Sequence, residues 1–571
     1  MGSERRIPDL VEKEPAPGLL RGRLSMPMAR LPIVKDDSIL AMLERNREDP
    51  WPVQNGFTRE LDQSIQVDLS LDRVASDEPL ATGQIVRVDD DSIRFAGVVR
   101  VDDSYAFRIR LDNVRLPEGS KIWLYSPSEP GLELGPFGLD LLHEGGIWLP
   151  ALDGPEIAIE VAVPRSGEPT DEGIGFEIGR IVEVFDLEAL RESERFGGNT
   201  TWTACALDAL CLSTDVTVDA REATARLTYV ENGSSWLCTG SIINDTVGGS
   251  TIPYLLTANH CFDTQASATS LTAFFDYYRA GCVVGPIPSL GSVPQVSGSQ
   301  LLTTAVNGDV TLVRLNAEPP TAYRLLGWTT ADPANGDSLF RTSHPAGSHM
   351  RVAAYLLDRP PAYQCSGNYD SAYAHYSTNN LGSTAGGSSG SAVLNENGQI
   401  VGQLQGSCGN VDDRCDFESF YTVDGKFSVN YPRLVQWINP SSYFSDFVID
   451  SVNLSTTSIP WGGTLTASTI LRNQGYEPSG FTVRFLRSTN SIISQADSTL
   501  GGNVISSPLG WQDTFQYSGG PFTFTESGTF WIGACVDPGA SEGPTDNNCS
   551  SGIQITVAER SPLIFDDRFE P

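Results

Sequence analysis

Three polar side chains of this 571-residue chain have types and positions suited to chemistry. His260 lies in the apolar run LLTANHC, Asp309 comes before the apolar segment VTLVRLN, and Ser389 lies among glycines in GGSSGSAV. An imidazole can remove the proton of a serine hydroxyl, and a carboxylate can hold that imidazole in the required tautomer. The order histidine, aspartate, serine, with separations of 49 and 80 positions, therefore predicts nucleophilic catalysis by Ser389.

Each of these residues also has an ordinary structural explanation. A histidine beside a strand is often structural, an aspartate before a strand often caps a turn, and a Gly/Ser segment is often a flexible loop. The apolar segments AVL and QIVGQL follow Ser389, which places its loop inside a fold. A tight turn there would direct the N–H groups of Gly387 and Ser389 toward an oxyanion.

The chain order of the three residues is the order found in chymotrypsin-type proteases. Around them, residues 205–440 resemble secreted bacterial trypsin-like serine proteases, most closely the lysyl endopeptidase family. The segments that carry the resemblance are CTGSIIN (238–244), LLTANHC (255–261), GDVTLVRLN (308–316), LGW (326–328), SHP (343–345), GSSGSA (387–392) and VGQLQG (401–406).

This resemblance implies an all-β, chymotrypsin-type double β-barrel of two six-stranded antiparallel barrels, with the active site between them. It also implies an endopeptidase that forms an acyl-enzyme on Ser389, acts on polypeptides and needs no cofactor or metal. Two alternatives stay open. One is a catalytically silent adhesion or binding protein. The other is an esterase, but Ser389 is not the centre of the usual GxSxG elbow, and the order of the three residues is not Ser…Asp…His.

The substrate pocket departs from the family pattern. Ser383 stands six residues before the nucleophile, where trypsin-type enzymes carry an aspartate, and Thr422 stands where lysyl endopeptidases carry theirs. Gln405, followed by Gly406, takes the place of a pocket histidine. A lysine in the pocket would need a carboxylate partner. The preference for the residue before the cleaved bond, P1, is therefore undecided, with Lys or Arg only weakly favoured.

Three further residues bear on the pocket and on activation. Asp416 or Asp424 could supply the missing carboxylate through a loop shift. Ser388 stands where pancreatic trypsin-like enzymes have the aspartate that captures the new N-terminal amine, so that activation switch is not expected.

All ten cysteines lie after residue 204, and none forms a CxxC pair. An even number without zinc-type spacing predicts five disulfides and an oxidising compartment. Cys535 and Cys549 would join the last hairpin of the chain. The resemblance implies the pairs Cys238–Cys261, Cys205–Cys408 and Cys211–Cys282, which leaves Cys365 and Cys415 to pair. An exchange of Cys408 with Cys415 stays open.

The flanking segments divide the chain further. Residues 1–198 are predicted to be a loosely ordered, polar leader over about 1–50, followed by a β-rich pro-region with 181–195 as a helix or linker candidate. In this pro-region the segment EIAIEVAV alternates with a period of two, as a half-buried strand does. The resemblance makes this region an intramolecular inhibitor or chaperone, removed near Glu192–Asn199. The protease domain is predicted at 199–443, and the segment YPRLVQWI at its end has helical spacing of its apolar residues. An immunoglobulin-like sandwich resembling CARDB adhesion modules is predicted at 446–558, and a tail at 559–571.

The charge of the chain restricts its partners. It carries 71 acidic and 38 basic residues, for a formal net charge of −33, which disfavours nucleic acids and anionic membrane surfaces. No apolar stretch is long enough for a membrane span, and no signal peptide is seen. We expect a secreted, extracellular and monomeric protein.

Overall fold

The computed structural model describes residues 5–7, 16, 18–21, 27–48, 51–69, 84–87, 92–129, 131–164, 173–187, 190, 204–358, 369–411, 413–440, 445–475, 479–509, 513–537 and 547–560. Contacts divide the chain into two compact units, Met1–Asn439 and Pro440–Pro571. Within the described residues no helix is both long enough and apolar enough to cross a membrane.

The N-terminal region of the first unit is mostly strand. Its elements are β1 (Arg5–Ile7), β2 (Ala29–Leu31), α1 (Asp36–Glu48), β3 (Val53–Asp68), β4 (Gln84–Arg87), β5 (Ser92–Val101), β6 (Ala106–Arg115), β7 (Lys121–Tyr125), β8 (Glu133–Phe137), β9 (Leu142–His143), β10 (Gly146–Trp148), β11 (Leu152–Asp153), β12 (Glu156–Pro164) and β13 (Gly175–Val184). Apolar residues from two sheets, among them Phe95, Ile109, Ile157 and Phe176, form one buried core.

Residues 207–438 form the rest of this unit. Their elements are β14 (Leu207–Asp208), α2 (Asp215–Ala223), β15 (Thr224–Glu231), β16 (Ser234–Ile243), β17 (Tyr254–Thr257), α3 (Gln265–Thr269), β18 (Thr272–Phe274), β19 (Gln295–Ser297), β20 (Ser299–Ala305), β21 (Val310–Leu315), β22 (Tyr323–Leu325), β23 (Ser338–Ser343), β24 (Arg351–Leu357), β25 (Ala374–Leu381), β26 (Ala392–Leu394), β27 (Ile400–Gly409), β28 (Phe420–Lys426) and α4 (Phe427–Ile438). Short 3₁₀ turns cover Leu139–Leu141, Ala209–Cys211, Leu290–Ser292 and Pro345–Gly347.

These strands form two barrels. In the first barrel the pairing runs β19–β18–β15–β16–β17–β21–β20. In the second it runs β24–β23–β26–β27–β28–β25, and β25 pairs back with β24, which closes a six-stranded ring. The all-β fold class with barrel sheets is confirmed, and the first barrel gains a seventh short strand, β19. The helix expected from YPRLVQWI is confirmed as α4.

The N-terminal region shares a sheet with the first barrel. Strand β3 pairs with β16 on one side, with Leu237 opposite Val53 and Ser234 opposite Phe57, and with β13 on the other. Strand β1 pairs with β22. The cysteine-free N-terminal region is therefore continuous with the barrels by backbone hydrogen bonds, which its composition did not indicate.

Two local expectations for this region were wrong. The helix or linker candidate 181–195 begins as strand, because residues up to Val184 belong to β13 and pair with both β3 and β6; much of 188–203 lies outside the described residues. The polar leader contains helix α1, with Asp36 and Asp37 in its first turn and Arg45 and Arg47 in its last, as the helix dipole favours.

The second unit is a two-sheet β-structure. Its strands are β29 (Phe447–Leu454), β30 (Ser458–Ile459), β31 (Thr464–Asn473), β32 (Ser479–Ser488), β33 (Ser498–Leu509), β34 (Thr514–Thr523), β35 (Gly528–Asp537) and β36 (Ile553–Val557). One sheet has the order β29–β31–β34 and the other β30–β36–β35–β32–β33. Leu465, Phe485 and Ile532 are among the core residues that come from both sheets, and the expected Cys535–Cys549 disulfide is present.

Candidate active site

Strand pairing in the first barrel brings the candidate histidine and aspartate together. Strands β17 and β21 are antiparallel, with Thr257 opposite Thr311. His260 follows the end of β17 and Asp309 immediately precedes β21, so both lie at the same edge of the sheet. Residues 49 positions apart in sequence are thus neighbours because of one strand pair.

The Asp309 carboxylate contacts His260 twice. Its Oδ2 lies 2.7 Å from the imidazole Nδ1, and its Oδ1 accepts a hydrogen bond from the His260 backbone N–H at 2.8 Å. The Asp309 side chain is 5% exposed and that of His260 is 22% exposed. This arrangement favours a proton on Nδ1 and leaves Nε2 as the proton acceptor.

Two side chains of the second barrel hold the turn that carries Asp309. Gln403 of β27 donates from Nε2 to the carbonyl oxygens of Gly308 and Asp309, at 2.7 and 3.0 Å. Asn430 of α4 also donates to the Gly308 carbonyl, at 3.0 Å. Asp309 has φ of +51°, a conformation that aspartate adopts only when its surroundings fix it. Sequence reasoning missed both residues, although Gln403 lies inside the quoted VGQLQG segment.

The Ser389 turn is fastened to the first barrel by Thr239 of β16. The Thr239 backbone N–H donates to the Ser389 carbonyl at 2.8 Å, and its hydroxyl donates to the Gly387 carbonyl at 2.8 Å. A Cβ at Gly390 would lie 2.1 Å from the Thr257 hydroxyl, so only glycine lets the turn approach the end of β17. Ser389 therefore lies against the strand that leads to His260.

The Ser389 hydroxyl and the His260 Nε2 are both buried. Neither the Ser389 hydroxyl nor the His260 Nε2 has a hydrogen-bond partner within the described residues, and Ser389 is fully buried. The hydrogen bond between them is thus not formed here. A hydrogen bond between a serine and its general base is often long before substrate binds and shortens in the substrate complex. Closure of the cleft would therefore pair the Ser389 hydroxyl with the His260 Nε2.

The candidate oxyanion donors lie in the same turn. Gly387 has φ of +97°, and a Cβ there would lie 2.8 Å from the His344 carbonyl oxygen and 3.1 Å from the Ala346 nitrogen. Glycine is therefore required for this close approach. In the described part of the chain, the Gly387 and Ser389 N–H groups have no acceptor. The next side chain, Ser388, has its hydroxyl 3.0 Å from that of Ser343.

Disulfides secure this site, with one correction to the expected pairing. Cys238–Cys261 joins β16 to the residue after His260, and Cys211–Cys282 forms as expected. Cys205 pairs with Cys415, so the expected Cys205–Cys408 pair is wrong and the exchange left open is correct. The loop before β28 brings Cys415 to Cys205, whereas Cys408 lies on strand β27. Cys408 is disulfide-bonded, and Cys365 lies outside the described residues.

The predicted pocket residues come from three segments of the second barrel: the turn after β25, strand β27 and strand β28. Ser383 is buried and donates to the Arg414 carbonyl at 2.9 Å. Thr422 on β28 is buried opposite Ser407 on β27. Gln405 and Gly406, which precede Ser407, also lie on β27. The Gln405 Oε1 is buried without a partner in the described residues.

Tyr369, which sequence reasoning missed, packs against strand β27 at Gly406. The Tyr369 hydroxyl packs on Gly406 so closely that a Cβ there would lie 2.0 Å from it. Burial raises the pKa of Tyr369, and the negative charge of Asp309 adds to that shift. Tyr369 lies outside the segments that carry the resemblance, so no motif marked it.

Both aspartates proposed as a replacement carboxylate already have partners in the structure. Asp424 is fully buried and ion-paired with Arg341, itself fully buried. Asp416 accepts from the Asn410 side chain at 3.3 Å, from the Glu418 backbone N–H at 3.3 Å and from the Ser419 hydroxyl. Both carboxylates are committed to structural contacts.

Two other histidines lie beside the site and are structural. Burial lowers the pKa of His344 to about 3, and its Nδ1 lies 3.0 Å from the Ser348 carbonyl. Burial, aided by the charge of Arg351, lowers the pKa of His349 to about 4, and its Nε2 lies 2.7 Å from Asp208. An imidazole with so low a pKa is a weak proton acceptor, so His344 and His349 are poorly suited to be a general base.

A residue of the N-terminal region lies against the candidate catalytic histidine. The ring of Trp51 meets the His260 ring edge-on, with centroids 6.2 Å apart. Trp51 lies two residues before β3, the strand that joins the N-terminal sheet to the first barrel. The sheet pairing therefore brings an aromatic side chain to the candidate site.

Comparison with known proteins agrees with this geometry. A family model described as the C-terminal domain of lysyl endopeptidase matches residues 200–419, which confirms the resemblance carried by the motifs. Lysyl endopeptidase of Pseudomonas aeruginosa is 25% identical over 224 residues, which cover 38% of this chain and 47% of that protein. The chain thus spans about half the length of this relative.

Two of the solved structures matched by this chain are a secreted protease and a CARDB domain. The secreted serine protease VesC from Vibrio cholerae has a TM-score of 0.30 at 11% identity, over 60% of this chain and 70% of VesC. The CARDB domain of the PF1109 protein from Pyrococcus furiosus has a TM-score of 0.16 at 15% identity, over 20% of this chain and 91% of that domain. These scores are too low to establish a shared fold.

Proposed function

We propose that this chain is a serine endopeptidase that hydrolyses peptide bonds through an acyl-enzyme on Ser389. The observation that carries the proposal is the double contact of Asp309 with His260, at the edge of the first barrel against which the Ser389 turn is held. A carboxylate that fixes both the backbone and the Nδ1 of one histidine leaves Nε2 as the only ring nitrogen able to accept a proton.

The reaction then follows from the positions of these groups. His260 Nε2 takes the Ser389 proton as the hydroxyl oxygen attacks the substrate carbonyl, and Asp309 stabilises the imidazolium that forms. The N–H groups of Gly387 and Ser389 bind the developing oxyanion. His260 then protonates the leaving amine, and it later activates the water that hydrolyses the ester on Ser389.

The alternative of a catalytically silent binding protein is less well supported. A buried hydroxyl and a buried imidazole nitrogen, both without partners in the described residues, reduce stability. A fold that used this site only for structure would gain by filling or pairing them. The catalytic role accounts for both, because each atom is the partner of the other once substrate closes the cleft.

A fluorophosphonate probe tests the proposal, because it modifies only an activated serine. We expect the purified full-length chain, after any processing of its own, to be labelled on Ser389 and to cleave casein. Ser389→Ala should remove both activities, and the neighbouring Ser388→Ala should keep them. Absence of labelling in the folded wild-type protein, or equal labelling in Ser389→Ala, would reject the proposal. Ester turnover without peptide turnover would favour the esterase.

The N-terminal region is proposed to inhibit this site until it is removed. The support is the contact of Trp51 with His260 and the sheet that joins β3 to β16. Processing between Glu192 and Cys205 would leave the new terminus tied to the second barrel through Cys205–Cys415. Trp51→Ala in the unprocessed chain should speed labelling of Ser389, whereas an unchanged rate would contradict the inhibitory contact.

We also propose that the protein is extracellular and that its second unit is an accessory binding module. Four disulfides in the described residues fit an oxidising, extracellular compartment. The unit after residue 440 is proposed to be the CARDB-like module, with a binding role that its fold alone does not specify. The monomeric state stays a prediction, which size-exclusion chromatography with light scattering would test.

A further inference from the structure

A cavity of about 400 Å³ lies between the N-terminal region and the first barrel. One wall is formed by β8 and the turn that follows it, which carries Asp140. The other wall is formed by β19 and by the segment after β21, which carries Glu318. None of His260, Asp309 and Ser389 is among the described residues that line it. The cavity is therefore separate from the candidate active site, and its volume is typical of sites for small ligands.

The barrel wall of this cavity contains buried polar atoms that have no partner. On β19, Val296 belongs to the core of the first barrel, so strand alternation directs the side chains of Gln295 and Ser297 away from that core. Both residues line the cavity. Within the described residues the Gln295 Oε1, the Gln295 Nε2 and the Ser297 hydroxyl are buried without a hydrogen-bond partner. Buried polar groups left unpaired reduce stability, so this wall is suited to a ligand that pairs with them.

Two carboxylates make the cavity acidic. Asp140 and Glu318 line it, and its described lining contains no lysine or arginine. The Asp140 Oδ2 accepts from the Asn316 side chain at 3.3 Å. The Glu318 carboxylate accepts from the hydroxyls of Thr251 and Tyr323. Because an ionised carboxylate can accept about four hydrogen bonds, both can also accept from a ligand, and a cationic group is favoured.

The remaining features of the cavity favour a peptide. Leu134, Pro136 and Phe137 supply an apolar surface on the wall formed by β8. Among the described residues, β8 and β19 are each the last strand in the order of their sheet, so one edge of each has backbone groups without a strand partner. Extended peptides bind to such edges. A peptide bond also provides both the donor and the acceptor that the Gln295 amide requires.

We propose that this cavity binds the first residues of a peptide that has a free amino terminus. The terminal ammonium pairs with Asp140 and Glu318, the first peptide bond pairs with the Gln295 amide, and an apolar side chain packs on Phe137. Since the two walls belong to different regions of the chain, a bound peptide holds the N-terminal region on the first barrel. This inference goes beyond the proposed endopeptidase function and does not depend on it, because binding requires no catalysis.

The test uses the full-length Ser389→Ala protein, which cleaves neither itself nor the probe, and its intact mass is checked first. The probe is alanyl-leucine amide, titrated by calorimetry. We expect binding of one peptide per chain, with a Kd of about 1 mM or lower. The N-acetylated probe, which has no ammonium, should bind at least about tenfold more weakly, because a charge-assisted contact is lost. Hydrogen exchange should slow in β8 and β19 when the peptide binds.

Two variants and one control complete the experiment, all made in the Ser389→Ala protein. Gln295→Leu removes the buried amide at similar volume. It should weaken binding at least about tenfold and should also raise the melting temperature of the free protein by about 2–4 °C, because unpaired buried groups are lost. Glu318→Gln should weaken binding of the free amine but not of the acetylated probe. Gln300→Leu, at an exposed position of β20, should change neither the affinity nor the melting temperature.

Three results would overturn the inference. The first is the absence of binding to the folded protein. The second is an affinity that Gln295→Leu leaves unchanged, or slowed exchange confined to the strands beside Ser389, since the peptide would then lie in the candidate active site. The third is a lower melting temperature for Gln295→Leu, which would mean that ordered water pairs this amide and that it serves the fold. All three leave the endopeptidase proposal to be decided by labelling of the wild-type protein.

Discussion

The two barrels position their functional groups through different kinds of contact. In the first, His260 and Asp309 are neighbours because β17 pairs with β21, and Cys238–Cys261 fastens the histidine to β16. In the second, the residues predicted to form the pocket lie on a turn and two strands, and Arg414 of the loop before β28 contacts the turn at Thr384 and one of the strands at Ser407. Regular strand pairing brings the candidate histidine and aspartate together, whereas loop contacts join the residues of the predicted pocket.

The strongest test of the first barrel is Asp309→Asn. An amide in place of the carboxylate would favour the wrong imidazole tautomer, and loss of such a carboxylate typically lowers kcat by about 10⁴-fold. We expect a fall of this order in kcat and in the rate of Ser389 labelling, measured on the same peptide. Asp263→Asn, at an exposed position of the same barrel, is the matched control. A fall of less than tenfold would show that Asp309 does not orient His260.

The sequence was informative about the first barrel because its chemistry lies in continuous motifs. LLTANHC and GDVTLVRLN each contain a strand end and the catalytic residue beside it, so strand prediction and residue type point to one place. The helix α4 and the strand alternation of β12 were equally clear, since single periodic segments define them. The triad candidates were therefore predictable without any three-dimensional information.

The pocket could not be predicted in this way. Arg414, Tyr369 and Trp51 lie outside the motifs, and each reaches the site through a contact between segments distant in sequence. The pairing of Cys205 was open for the same reason, since Cys408 and Cys415 are only seven positions apart and the loop path decides between them. The sheet shared by β3 and β16 was also invisible, because edge pairing leaves no sequence pattern beyond that of a strand.

The second barrel can be broken at its buried ion pair. Arg341→Met leaves the Asp424 carboxylate buried without its partner, and removal of one member of such a pair typically costs about 3–5 kcal/mol. We expect a marked fall in the urea midpoint of the first unit, measured by tryptophan fluorescence. Arg433→Met, at an exposed position of α4, should change the free energy of unfolding by no more than about 0.5 kcal/mol.

A double variant separates the charge from the packing. Arg341→Met with Asp424→Leu removes both ions and should recover most of the lost stability, as apolar replacements of buried pairs commonly do. If the double variant is as unstable as the single one, packing around Arg341, and not the unpaired carboxylate, determines the stability of the second barrel.

A smaller effect should appear when the pH is lowered, and it should originate in the second barrel. The pKa of buried His349 lies at about 4, below the value of about 6.5 for an unfolded chain. Between these values the unfolded state binds a proton that the folded state does not, so stability is complete above pH 6.5 and is lost as the pH falls toward 4. The shift corresponds to about 3 kcal/mol at most.

His349→Gln can still donate to Asp208 and should show a flatter profile of stability against pH between pH 6.5 and 4. His143→Gln, in the N-terminal region, should keep the wild-type slope. Parallel profiles for wild type and His349→Gln would show that the acid sensitivity of stability arises elsewhere in the molecule. The second barrel would then not be the source of this pH dependence.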